Sequence, residues 1–109
     1  MKVTISFKHL EHTPALDEKI HEKSERLKKY FDGNFSVEWV CWVEDIHHWA
    51  EVKVHGRKSH LFAKGSADTM YKALDVVLDK MERQLEKHKD MITEKIHTDH
   101  SELPKYSAT

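Results

Sequence analysis

The stretch Asp68–Asp90, DTMYKALDVVLDKMERQLEKHKD, decides the architecture, because the hydrophobic period of the chain changes there. From about Ala67 onward Met70, Leu74, Val77, Leu78, Met81, Leu85, His88 and Ile92 fall on one stripe at helical spacing. A long helix is therefore expected, reaching about His97. Beyond Thr98 the residues turn polar, with Ser101, Pro104, Ser107 and Thr109, which reads as a flexible tail over 98–109.

Everything before this helix, one segment excepted, alternates with a period of two. Lys2–Lys8 places Val3, Ile5 and Phe7 on one side and Lys2, Thr4, Ser6 and Lys8 on the other, a strand with one buried face. The exception starts at Thr13-Pro14, an N-cap threonine with proline at the first helical position, and is expected to run to about Phe31. Leu16, Ile20, Leu27 and Phe31 share its apolar face, and Asp32-Gly33-Asn34 would stop it. Phe35–Glu44, Trp49–His55 and Ser59–Gly65 read as three further strands, with His55-Gly56-Arg57-Lys58 as a hairpin turn. The order is β-α-β-β-β-α. Two amphipathic helices and a sheet with one apolar face pack economically as a two-layer α+β sandwich, both helices on the same face of a four-stranded sheet. Residues 1–97 form one domain on this reading, with no internal repeat and no linker.

Composition narrows the function. The chain has 109 residues and a formal charge of −1, from 18 basic and 19 acidic side chains, so charge alone does not mark it as a polyanion binder. Placement is more informative. On a helical wheel Lys72, Lys80, Arg83 and Lys87 cluster in an arc about 80° wide opposite the core stripe, with Asp79, Glu82 and Glu86 mostly to one side. On the first helix Lys19, Lys23 and Arg26 form one flank and Glu18, His21 and Glu25 another. Two basic ridges, if adjacent, could grip phosphates through counterion release. Mixed charges on a helix surface are also what plain solvation produces, and pattern alone does not separate the two.

Other chemistries find little support. His9-x-x-His12, His47-His48 and His97-x-x-His100 fall in a strand end, a loop and the tail, with no HExxH or CxxC, so no metal site is expected. No Ser-His-Asp set, paired carboxylates or Gly-rich phosphate loop stands out, so neither an enzyme nor a cofactor is expected. Cys41 is alone, falls on the predicted buried face, and fits inert packing. The N-terminal strand alternates where a signal peptide would be continuously apolar, and no apolar run approaches the roughly 20 residues of a membrane span. A cytoplasmic protein is the expectation.

Two strings then become informative together: RLKKYFD at Arg26–Asp32 and DTMYKALDVVLDKMERQLEKHKD at Asp68–Asp90. With the order of elements, they make residues 1–90 resemble the ribosome hibernation-promoting factor family, also called the sigma-54 modulation proteins, which includes the ribosome-associated inhibitor. The resemblance implies a fold similar to double-stranded-RNA-binding domains. It implies binding to the small ribosomal subunit, within the 70S ribosome, in the channel of messenger and transfer RNA, holding ribosomes inactive in stationary phase or stress. It further implies contacts from basic helix residues to ribosomal RNA. The matching positions are Lys23 and Arg26 on the first helix and Lys80, Arg83, Lys87, His88 and Lys89 on the second. The wheel agrees for Lys23, Arg26, Lys80, Arg83 and Lys87, whereas Lys89 falls nearer the core edge and would have to snorkel. The length matches a short form without the second domain that pairs ribosomes.

Two departures from the family pattern stand out. Ser24 occupies a helix position where an apolar residue is usual, which would thin the core locally. Trp42 points outward by alternation, with Trp49 near the same strand ends. Such a pair could stack on an unstacked base or form a self-association patch. Packing against the loop Asp45-Ile46-His47-His48 is the expectation. The rival to the ribosomal reading is a protein-interaction module that self-associates through the exposed sheet face.

Overall fold

The computed structural model describes the backbone of residues 1–98 and the side chains of residues 1–87. The elements follow in the order β1 (Lys2–Lys8), α1 (Pro14–Glu25), β2 (Ser36–Glu44), β3 (His47–His55), β4 (His60–Ala67) and α2 (Met70–Thr98), with a 3-10 turn at Lys28–Tyr30 after α1. The strands form one sheet in sequence order. β1 pairs parallel with β2, across the α1 connection, and β2, β3 and β4 form an antiparallel meander. The α+β sandwich expected from the sequence is therefore present. The polar tail expected beyond Thr98 lies outside the described residues.

The core lies between the sheet and the helices. Val37, Trp39 and Cys41 of β2, Ala50, Val52 and Val54 of β3, and Ala63 of β4 meet Leu16 and Ile20 of α1 and Leu74, Val77, Leu78 and Met81 of α2. Thr13 caps α1, its Oγ1 accepting from the Leu16 N–H at 3.2 Å, and Thr69 caps α2 in the same way through the Lys72 N–H. Gly65 lets α2 approach β4 closely: a Cβ there would meet Val76 Cγ1 at 2.8 Å.

The expected reach of the first helix is corrected. It ends at Glu25 instead of about Phe31. The Ser24 hydroxyl donates back to the Ile20 carbonyl at 2.9 Å, and the Arg26 and Leu27 N–H groups bond three residues back, to Lys23 and Ser24, which tightens the last turn. Ser24 is not a thin spot either. It is fully buried, and its Oγ accepts from the Trp39 indole N–H at 2.9 Å. A leucine there would leave that indole donor unpaired in the core, where an unmade hydrogen bond costs about 1–3 kcal/mol.

The strands also start at different residues than expected. β3 begins two residues earlier, at His47, so the connection from β2 is a two-residue turn of Asp45 and Ile46, with Asp45 at φ +58°. Trp42 and Trp49 are direct register partners on the open face. Their rings lie within 5° of parallel, 5.9 Å apart, and the Lys64 ammonium sits over both, 5.7 and 5.2 Å from their centroids. These rings pack on each other and on a cation, in place of the expected packing against a four-residue loop.

Candidate nucleic-acid interface

The basic residues singled out in the sequence do not form one surface. Lys23 and Arg26, at the end of α1, face α2 across a seam, whereas Lys19 pairs with Glu22 on its own helix at 3.3 Å. On α2 the carboxylates of Asp75, Glu82 and Glu86 recur at helical spacing along the side nearest α1. Lys23 pairs with Asp75, Arg26 Nη2 lies 2.8 Å from Glu82 Oε1, and Lys29 Nζ is 3.9 Å from Glu82 Oε2. Tyr30 donates its hydroxyl to Glu86 at 3.4 Å. Burial pushes the Tyr30 phenol pKa up, and Glu82 and Glu86 push it further, so it stays a donor at neutral pH.

Glu82 is the centre of the seam. Its side chain is only 13% exposed, and Oε2 is buried without a hydrogen-bond partner among the described residues. A carboxylate so placed holds its cations more firmly than a surface acid does. Lys23, with a side chain only 14% exposed, is likewise committed.

The outer ridge of α2 is different. Arg83 pairs with Asp79 at 3.1 Å within α2, and Lys72 with Asp68, just before the helix, at 3.4 Å; each pair is four residues apart and all four side chains are well exposed. Such pairs are worth about 0–1 kcal/mol and are readily exchanged for a phosphate. Lys87 is exposed. Lys80 departs from the wheel reading: its ammonium donates to the Lys64 carbonyl at 2.8 Å, beside Gln84, which donates to the Phe62 carbonyl at 2.8 Å. These two side chains cover the free edge of β4, which would otherwise offer bare carbonyls to another strand. His88 and Lys89 lie in α2, beyond the residues whose side chains are described.

One group of cations was missed in the sequence. Lys2, Lys29, Arg57 and Lys58 line an open cleft of about 960 Å³ at the end of the sheet where β1, β2 and β4 begin. They belong to separate segments, so no helical wheel or local motif collects them; only the strand register does.

Among the described residues no three His, Cys, Asp or Glu side chains converge to hold a metal ion. His12 bonds instead to Asp17 at 3.0 Å. Burial pushes the Cys41 thiol up to about 12, so it is neutral and unreactive at neutral pH. No helix among the described residues is long and apolar enough to cross a membrane.

Comparison with known proteins places the chain in a family. Residues 3–93 match the family described as sigma 54 modulation protein / S30EA ribosomal protein. The chain is 37% identical over 90 residues to a ribosome hibernation promoting factor of Azotobacter vinelandii, covering 83% of this chain and 84% of that protein. It is 35% identical over 92 residues to the factor of the same name from Escherichia coli K12, covering 84% of this chain and 97% of that protein. In fold it resembles the N-terminal domain of Thermus thermophilus Protein Y, with a TM-score of 0.76 at 24% identity over 81% of this chain and 99% of that one. A ribosomal subunit interface protein from Coxiella burnetii is similar, with a TM-score of 0.74 at 22% identity over 83% and 99%. The chain belongs to the sigma 54 modulation protein / S30EA ribosomal protein family.

Proposed function

From that membership we propose that the chain is a ribosome hibernation factor. It binds the small ribosomal subunit in the channel of messenger and transfer RNA and keeps idle ribosomes inactive by occupying it. The observation that carries this reading is its likeness to named hibernation promoting factors over most of their length. The charge distribution supports it. A chain with a formal charge of −1 turns Arg83 and Lys87 outward on one ridge, with only weak local pairing, where phosphates can reach them.

On this reading Arg83 and Lys87 are the principal contacts, and Lys80 reaches RNA by leaving the β4 edge. Lys23 and Arg26 join once the seam opens. His88 and Lys89, further along α2, are additional contacts on this reading. The factor acts by occupancy, with no chemical step and no cofactor, and works in the cytoplasm where ribosomes are. The ribosome-binding domain spans residues 1–97 on this reading.

The test is co-sedimentation with ribosomes through a sucrose gradient. Wild type should travel with the small subunit and the 70S ribosome. The double reversal Arg83→Glu with Lys87→Glu should weaken binding by about 100-fold or more, because two attractive contacts become repulsive. Its circular dichroism should not change. Co-sedimentation of the reversed variant at wild-type levels would remove the ridge from the interface.

A further inference from the structure

A group of cations lies at the end of the sheet. Lys2, Ser36, His55 and His60 stand in one register row across the four strands. The β3–β4 turn, closed by the Gly56 N–H on the Ser59 carbonyl at 2.9 Å, carries Arg57 and Lys58 just beyond that row. The 3-10 turn brings Lys29 to the same cleft. Among the described residues four cations line the cleft against one carboxylate, Asp32, in a chain whose overall charge is −1. None of Lys2, Arg57 or Lys58 has an ion pair among the described residues, in contrast to Lys23 and Arg26.

The cleft has a formed floor. Phe31 and Phe35 stack with centroids 4.3 Å apart and 13° between planes. Phe31 also fits beneath Gly56, where a Cβ would meet its ring at 2.7 Å. The floor holds the β3–β4 turn, and hence Arg57 and Lys58, against the rest of the cleft.

We propose that this cleft is a second contact for RNA backbone, in which Lys2, Lys29, Arg57 and Lys58 meet successive phosphates. The proposal rests on the ribosome-binding reading and extends it to the end of the sheet. Two features favour a phosphodiester chain over a single small anion. The cations come from three separate segments around an open cleft. Lys29 also reaches Glu82, the partner of Arg26, so the cleft continues the cationic side of the seam. A strand of RNA could follow that line without a break.

The experiment compares three proteins for ribosome pelleting across a salt series at fixed magnesium: wild type, Lys2→Gln/Arg57→Gln/Lys58→Gln, and Arg83→Gln/Lys87→Gln. The sheet-end variant should bind about tenfold or more weakly, and its salt dependence should flatten by about 2–3 in the log–log slope, roughly 0.7–0.9 per lost phosphate contact. Exchanging Lys2 and Lys58 for arginine should preserve binding. Wild-type affinity and slope in the sheet-end variant, with the helix variant weakened, would overturn the cleft contact and leave the ribosomal reading standing. Failure of wild type itself to pellet would overturn both. Stabilisation of the free protein by inorganic phosphate, with unchanged ribosome binding by the sheet-end variant, would make the cleft a small-anion site and overturn the proposal. Should the triple variant melt early, Arg57→Gln alone decides, with an expected slope change of about one.

Discussion

Lys23 and Arg26 at the end of α1, and Arg83 and Lys87 on α2, look alike in the sequence: pairs of long cations about one helical turn apart. The fold separates them. The α1 pair turns toward the neighbouring helix and ends on Asp75 and on Glu82, whose side chain is 13% exposed. The α2 pair turns outward, and its one ion pair among the described residues, Arg83 with Asp79, is exposed on both sides. The difference comes from the acids. Asp75, Glu82 and Glu86 flank the core stripe on the side facing α1, so they are matched to whatever α1 presents. A charge on the far side has only neighbours on its own helix to answer it. Seam cations therefore hold the helices together first and meet a ligand second, and the reverse holds on the ridge.

The largest effect expected of a single change tests the footing of the seam. Ser24 joins α1 to the sheet through the Trp39 indole, with both residues fully buried. Ser24→Ala should cost about 1–3 kcal/mol, because it orphans a buried donor. Trp39→Phe in that background removes the orphan, so the second change should cost less there than in wild type. Denaturant melts of the four-member cycle measure the coupling. Additive costs would show that the hydrogen bond does not position α1, and the seam would lose its foundation.

A smaller effect separates the two pairs directly. Arg26→Glu places a second carboxylate beside the largely buried Glu82 and should lower stability by about 1–2 kcal/mol. For a domain of this size that is about 5–15 °C in melting temperature. Arg83→Glu should stay within about 0.5 kcal/mol of wild type, as exposed substitutions usually do. Thermal melts at low and high salt check both. Equal shifts would collapse the distinction between seam and ridge.

The sequence showed the layers well and the charges poorly. Strand alternation in Lys2–Lys8 and the stripe from Met70 to Leu85 follow from one buried face, a property each segment carries by itself. Arg83 and Lys87 were legible because a ridge on one helix is also local. The end of α1 at Glu25 was not, because the tightened last turn leaves the apolar period unbroken, and the role of Ser24 was not, because its partner Trp39 is fifteen positions away. Lys23 and Arg26 were visible as basic residues, but their commitment to Asp75 and Glu82 needs the second helix in place. Lys80 was assigned to the ridge because a wheel has no sheet edge in it. The cleft cations went unread for the same reason: Lys2 and Arg57 meet only once β1, β2 and β3 are in register.

The smallest effect bears on whether the seam is a reserve of binding groups or only structural. Glu82→Gln keeps the shape of the side chain and an acceptor for Arg26 while removing the charge that holds Arg26 and Lys29. If those cations are held back from RNA by Glu82, the neutral variant should bind ribosomes about two- to fivefold more tightly, and its salt dependence should steepen by about one, a single added phosphate contact. Gln remains a weaker partner, so the helices should stay docked and the melting temperature should change little. The same substitution combined with Arg26→Gln should return affinity to the wild-type value or below, because the released cation is then gone. Unchanged affinity in Glu82→Gln would make the seam purely structural, and would confine RNA contact to the outer ridge and the sheet end.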